Sequence, residues 1–100
     1  MPGDPHEVMR KIDQKLLEEV GFARRFAFSE GAIPTKYKLL IAMAIDASHG
    51  TSGGVRALAE AAMRAGATKE EIGEALRVAF YISGCVSFYT AADGLSNIIG

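Results

Sequence analysis

The sequence predicts an all-α fold, a bundle of five to six helices. Apolar residues recur at helical spacing through most of the chain, the stretches between them carry helix caps and stops, and no run alternates with period two for long enough to make a strand. One hundred residues fit a single domain spanning 1–100. A monomer of this size leaves roughly a third of its chain surface wet, yet 49% of the residues are apolar. Part of that surface is therefore expected to be covered by another protomer, which makes the predicted state oligomeric.

The first helix is expected to open at Asp4, with Pro5 at its first position and Glu7 three residues after the cap, as in a capping box. Val8, Met9 and Ile12 share one face. Asp13 breaks or restarts the helix. Leu16, Val20, Ala23 and Ala27 then line one face of a second helix, widened by Leu17, Phe22 and Phe26. Ser29-Glu30-Gly31 reads as its stop, with glycine taking a left-handed cap.

Pro34 or Thr35 begins a third helix, whose seven apolar residues Leu39 to Ile45 predict burial on all sides. It ends near Ser48-His49-Gly50. A fourth helix from Thr51 or Ser52 to Ala65 buries Val55, Leu58, Ala59, Ala62 and Met63, with Arg56, Glu60 and Arg64 as a charge ladder opposite. Thr68 and Glu71 form a capping box that opens the fifth. Its expected core face is Ile72, Ala75, Leu76, Ala79 and Phe80. Gly84 interrupts it, and a last helix carries Cys85, Phe88, Ala92 and Leu95. Short connections imply sequential helices packed as hairpins.

A net charge of -1 gives no basic footprint for nucleic acid and no polybasic membrane patch. The start, Met1-Pro2-Gly3-Asp4-Pro5, is polar and does not read as a signal peptide. The longest apolar run is too short for a bilayer, and a cytoplasmic location is expected. One cysteine, Cys85, excludes an intrachain disulfide and any two-thiol cycle within one protomer. No metal-ligand spacing and no nucleotide fingerprint occurs, so neither metal nor cofactor is expected.

Pro34-Thr35-Lys36-Tyr37-Lys38-Leu39-Leu40-Ile41-Ala42-Met43-Ala44, followed by His49-Gly50, resembles the central helix of the carboxymuconolactone decarboxylase and AhpD-like (alkylhydroperoxidase) superfamily. The stretch Ala61 to Ile72, with its Ala-Gly-Ala-Thr turn and capping box, resembles the same family. The resemblance implies an all-helical homo-oligomer, a trimer or hexamer, and at family level a peroxiredoxin-type or decarboxylase activity. It also implies where the chemistry sits. The family's glutamate falls on Leu39, its two Cys-x-x-Cys positions on Thr51 and Gly54, and its histidine on Leu58. None of the four keeps its reactive group, so a divergent, redox-inactive member is expected. Thr51 is a poor nucleophile without an activating base, and Leu39 and Leu58 cannot pass a proton.

Two readings stand for each remaining candidate. His49, with Asp46 one turn earlier to orient it, is either a base at the mouth of the former site or a helix-end residue favoured by the dipole. Cys85 is either a thiol activated at a helix start or a small buried hydrophobe. Met43, Phe80, Tyr81 and Tyr89 either line a pocket or belong to core and interface. Thr51 to Gly54 is either an anion site or an ordinary helix start.

The preferred expectation is a protein that binds a small apolar or aromatic molecule in an inter-helix pocket. Its rivals are an enzyme, peroxidase-like through Cys85 or decarboxylase- or isomerase-like through His49, and a structural or regulatory subunit of an active relative.

Overall fold

A computed structural model describes residues 4–99, and these form six helices with no strand among them. Met1, Pro2 and Gly3, read above as part of a polar start, lie outside the described residues. The helices are α1 (Pro5–Ile12), α2 (Gln14–Phe28), α3 (Thr35–Ser48), α4 (Ser52–Arg64), α5 (Lys69–Ser83) and α6 (Cys85–Leu95).

Local chemistry sets the helix ends. Asp4 caps α1 by accepting from the His6 N–H at 2.9 Å. The reciprocal half of that box does not form, because the Glu7 carboxylate pairs with Arg10 instead. Asp13 ends α1 and caps α2, accepting from the Leu16 N–H at 3.0 Å. α2 stops at an extended Ser29 rather than at a left-handed glycine. At α5 both halves of the Thr68–Glu71 box are present, each at 3.0 Å. Glu71 also accepts from Lys36 Nζ at 3.2 Å, which ties the start of α5 to the first turn of α3.

The core is the meeting of α3, α4 and α5 around Leu39, Leu40, Met43, Ala47, Val55, Ala59, Ala62 and Ile72. α6 closes it from one side. Its buried face is Ser87, Ala91 and Gly94, while Cys85, Phe88 and Ala92 are exposed and Leu95 is half-buried. The reason is close approach. A Cβ on Gly94 would lie 2.6 Å from the Ser52 carbonyl oxygen and 3.0 Å from Val55 Cβ, so only a glycine lets α6 lie this tightly on α4. The Ser87 hydroxyl, buried in the same seam, donates to the Ala79 carbonyl at 3.3 Å. Gly84 makes the turn into α6 at φ 76°, a conformation that costs glycine little.

Three further expectations change. α3 is not buried all round: Ile41 and Ile45 lie open on the side facing away from Leu39. The ladder Arg56–Glu60–Arg64 makes no ion pair among the described residues. Arg56 instead turns its guanidinium to the Ser96 carbonyl at 3.3 Å, closing the end of α6. α1 and α2 contribute no buried residue. α2 turns Leu17, Gly21 and Phe28 partly inward and leaves Leu16, Val20, Phe22 and Phe26 exposed.

Candidate functional site

Of the four positions that the resemblance implies, Thr51 and Gly54 lie where α3 turns into α4, and Leu39 and Leu58 lie deeper along those two helices. Leu39 is buried in the core and forms one wall of a cleft between α2 and α3, with Phe28, Thr35, Ala61, Arg24 and Arg25 around it. Leu58 is half-buried and packs on the same core. Gly54 lies one turn before Leu58 on α4, and residues four apart share a helix face. Thr51 is the exposed N-cap of α4 and makes no side-chain cap. Leu39 and Leu58 are thus part of one core cluster, with Gly54 one turn above Leu58 and Thr51 at the outer end of α4.

Asp46 is the one acid at this corner. Its side chain is half-buried and has no hydrogen-bond partner among the described residues. The carboxylate lies over Gly54: a Cβ there would be 2.8 Å from Asp46 Cγ and nearer still to Oδ2. A negative charge against the first turn of α4 complements the helix dipole. The same charge repels an external anion, which argues against the anion reading of Thr51 to Gly54.

His49 is exposed and is the C-cap of α3, its backbone N–H bonded to the carbonyls of Ile45 and Asp46. Cys85 is exposed at the first position of α6, so it is not a buried hydrophobe. The two corners share one end of the bundle, since a Cβ on Gly50 would lie 3.9 Å from Val86 Cγ2.

Met43 is fully buried in the core, whereas Tyr81 and Tyr89 stand on the surface at 85% and 68% exposure. Only Phe80 of the four lines a groove. That groove runs between α5 and α6, with a volume near 440 Å³, and is walled by Leu76, Phe80, Phe88, Ala91 and Leu95, with Arg77 at its edge. A second groove of about 460 Å³ lies between α3 and α5 and is lined by no charged side chain. Sequence reasoning missed Arg77. The signal was available: it is the only charge in the last two turns of α5, three residues before Phe80.

Among the described residues no group of three or more His, Cys, Asp and Glu could hold a metal ion, and no helix is long and apolar enough to cross a membrane.

A bundle of this order, with a hairpin at its centre and a turn before α4 at the expected reactive positions, defines a small helical scaffold seen in known proteins. The apo crystal structure of a carboxymuconolactone decarboxylase family protein from Legionella pneumophila superposes with a TM-score of 0.83 at 30% identity, covering 89% of this chain and 80% of that one. An uncharacterized protein of Methanocaldococcus jannaschii is 26% identical over 100 residues, covering all of this chain and 94% of the relative. The sequence model of the Carboxymuconolactone decarboxylase family matches residues 14–94, and the chain belongs to that family.

Proposed function

We propose that this family member does no thiol chemistry at the α3–α4 corner and instead binds a small aromatic or apolar acid in the α5–α6 groove. The observation that carries the reading is the make-up of that groove: two aromatic side chains and aliphatic walls, with Arg77 as the one charged residue that lines it. Small-molecule sites combine such apolar walls with few polar groups. Among the described residues Arg77 has no carboxylate partner, so its charge is available to an acid. The absence of a peroxidatic cycle is supported by leucine, threonine and glycine at the four positions named above, together with a single thiol in the chain.

Thermal unfolding with benzoate- or cinnamate-type acids and with neutral lactones tests it. A ligand at ten times its Kd stabilises the native state by about 1.4 kcal/mol, which moves the midpoint by several degrees in a chain this short. No shift with any of these compounds at millimolar concentration overturns the reading.

A second reading, peroxidase-like chemistry at Cys85, draws on the exposure of that thiol at the first turn of α6. It requires hydroperoxide consumption that disappears in Cys85→Ser.

A further inference from the structure

α5 and α6 meet at Gly84, and the residues lining the groove between them pair off at equal distances in sequence from that turn. Phe80 and Phe88 stand four residues to either side of it, Arg77 and Ala91 seven, and Gly73 and Leu95 eleven. At about 1.5 Å per residue the groove runs roughly 10 Å from its aromatic end to its glycine end. The two ends differ in chemistry. Phe80 and Phe88 are about half open, at 49% and 58%, and the Phe88 ring is held edge-on by Tyr89 at 5.0 Å. An aromatic guest meets ring faces and edges there. At the far end Leu76 and Leu95, packed on the core, flank a turn of α5 that carries no side chain.

That turn is Gly73. Glycine is a poor helix former, and this one lacks the two reasons that account for other glycines of the chain. Its φ is not positive, unlike those of Gly50, Gly66 and Gly84. No neighbour crowds it, unlike Gly54 and Gly94: a Cβ on Gly73 would meet no atom within 4 Å. What the glycine provides is open space at the end of the groove. Arg77 follows it by one turn. Long helical side chains point back toward the helix N-terminus, and for Arg77 that direction is the Gly73 turn, away from Phe80. Volume decides how much guest fits. A cavity of about 150 Å³ holds benzene, whereas this groove has near 440 Å³, so a single ring leaves most of it to water.

We infer that the groove selects acids whose ring and carboxylate are separated by a short saturated chain, arylalkanoates rather than benzoates, and that Gly73 is the residue that sets this length. The inference rests on the ligand reading of the same groove and says which acids it prefers. The ring sits between Phe80 and Phe88, the methylenes run past Leu76 and Ala92, and the carboxylate meets Arg77 over the open turn at Gly73. A side chain at position 73 closes that end and confines the guest to the phenylalanine end.

Isothermal titration of the full chain and of Gly73→Leu with benzoate, 4-phenylbutyrate and 6-phenylhexanoate tests it. Each buried methylene is worth about fourfold in affinity, so 4-phenylbutyrate is expected to bind wild type at least tenfold tighter than benzoate. The longer 6-phenylhexanoate overruns the groove and gains no more than about twofold beyond that, less than one further buried methylene. Gly73→Leu loses most of the 4-phenylbutyrate advantage and keeps its affinity for benzoate. Leucine is the better helix former, and should the variant still fail to fold, the plateau between the two longer acids on wild type decides alone. Equal binding of benzoate and 4-phenylbutyrate overturns the length inference, as does an affinity that climbs undiminished to 6-phenylhexanoate or an advantage that survives in Gly73→Leu. In each of those cases the acids still bind, and the ligand reading stands. Binding of none of the three at millimolar concentration overturns both.

Discussion

The Asp46 carboxylate occupies the space that any side chain at position 54 needs: a Cβ on Gly54 would sit 2.8 Å from Asp46 Cγ. Acid and glycine are therefore one interlocked pair across the α3–α4 corner, and a cysteine cannot be placed at position 54 without moving the acid. Gly54→Ala is expected to destabilise by about 1–3 kcal/mol, the ordinary cost of overpacking. In an Asp46→Ala background most of that cost is expected to disappear, because the added methyl then meets only Thr51 Cγ2 at 3.2 Å and helix propensity favours alanine by up to about 1 kcal/mol. Denaturant unfolding of the four proteins gives the coupling directly, and additive effects would separate the two residues.

Gly94 makes the parallel case against backbone. A Cβ there lies 2.6 Å from the Ser52 carbonyl oxygen, which no rotamer change relieves. Gly94→Ala is expected to force α6 away from α4 and cost at least about 2 kcal/mol. Gly73→Ala is the matched control, because nothing lies within 4 Å of its added methyl. It is expected to stabilise α5 by up to about 1 kcal/mol. Melting curves of the two variants should move in opposite directions.

The start of α5 links stability to pH. The Thr68 backbone N–H, and after it the Lys36 ammonium, hold the Glu71 carboxyl below the usual glutamate range. A carboxyl with a lowered folded pKa favours folding above its unfolded pKa and loses that contribution as pH falls through the folded value. The loss therefore begins near pH ~4–5 and grows toward more acid solution. Urea midpoints across this range should fall less steeply in Glu71→Gln than in wild type. Lys36 is the mirror case: hydrogen bonding to Glu71 raises its pKa, so its share is lost only in alkaline solution. Thr68→Ala, which removes the cap itself, is expected to cost about 1 kcal/mol at neutral pH.

At the α5–α6 groove, Arg77→Ala should weaken binding of an aromatic acid about tenfold, the worth of one charge-assisted hydrogen bond. Binding of a neutral lactone should be unaffected. Phe80→Ala should weaken both. Isothermal titration separates the two variants, and equal losses for acid and neutral ligand in Arg77→Ala would remove Arg77 from recognition.

Leu39, Thr51, Gly54 and Leu58 are named by the family resemblance and not by any pattern of their own; in the fold Leu39 and Leu58 belong to one core, with Thr51 and Gly54 at the start of α4. What could not be read was the fate of neighbouring groups. Cys85 as a buried hydrophobe was the bland reading of a free thiol, but the tight α4–α6 seam selects Ser87, Ala91 and Gly94 and rotates Cys85 outward. Asp46 read as a partner for His49. Its carboxylate lies instead over the next helix, a contact that depends on a missing side chain eight residues later.

The sequence by itself determined the helices and most of their boundaries, since a cap such as Asp13 to Leu16 or Thr68 to Glu71 is a contact within three residues. Only the tertiary structure decided which apolar faces are covered. Leu40 and Ile41 are equally apolar neighbours on α3, yet one is 6% and the other 49% exposed. Hydropathy records that a face must be hidden, but helices brought in from distant parts of the chain determine which face they reach. Small residues such as Gly94 then determine how closely they pack.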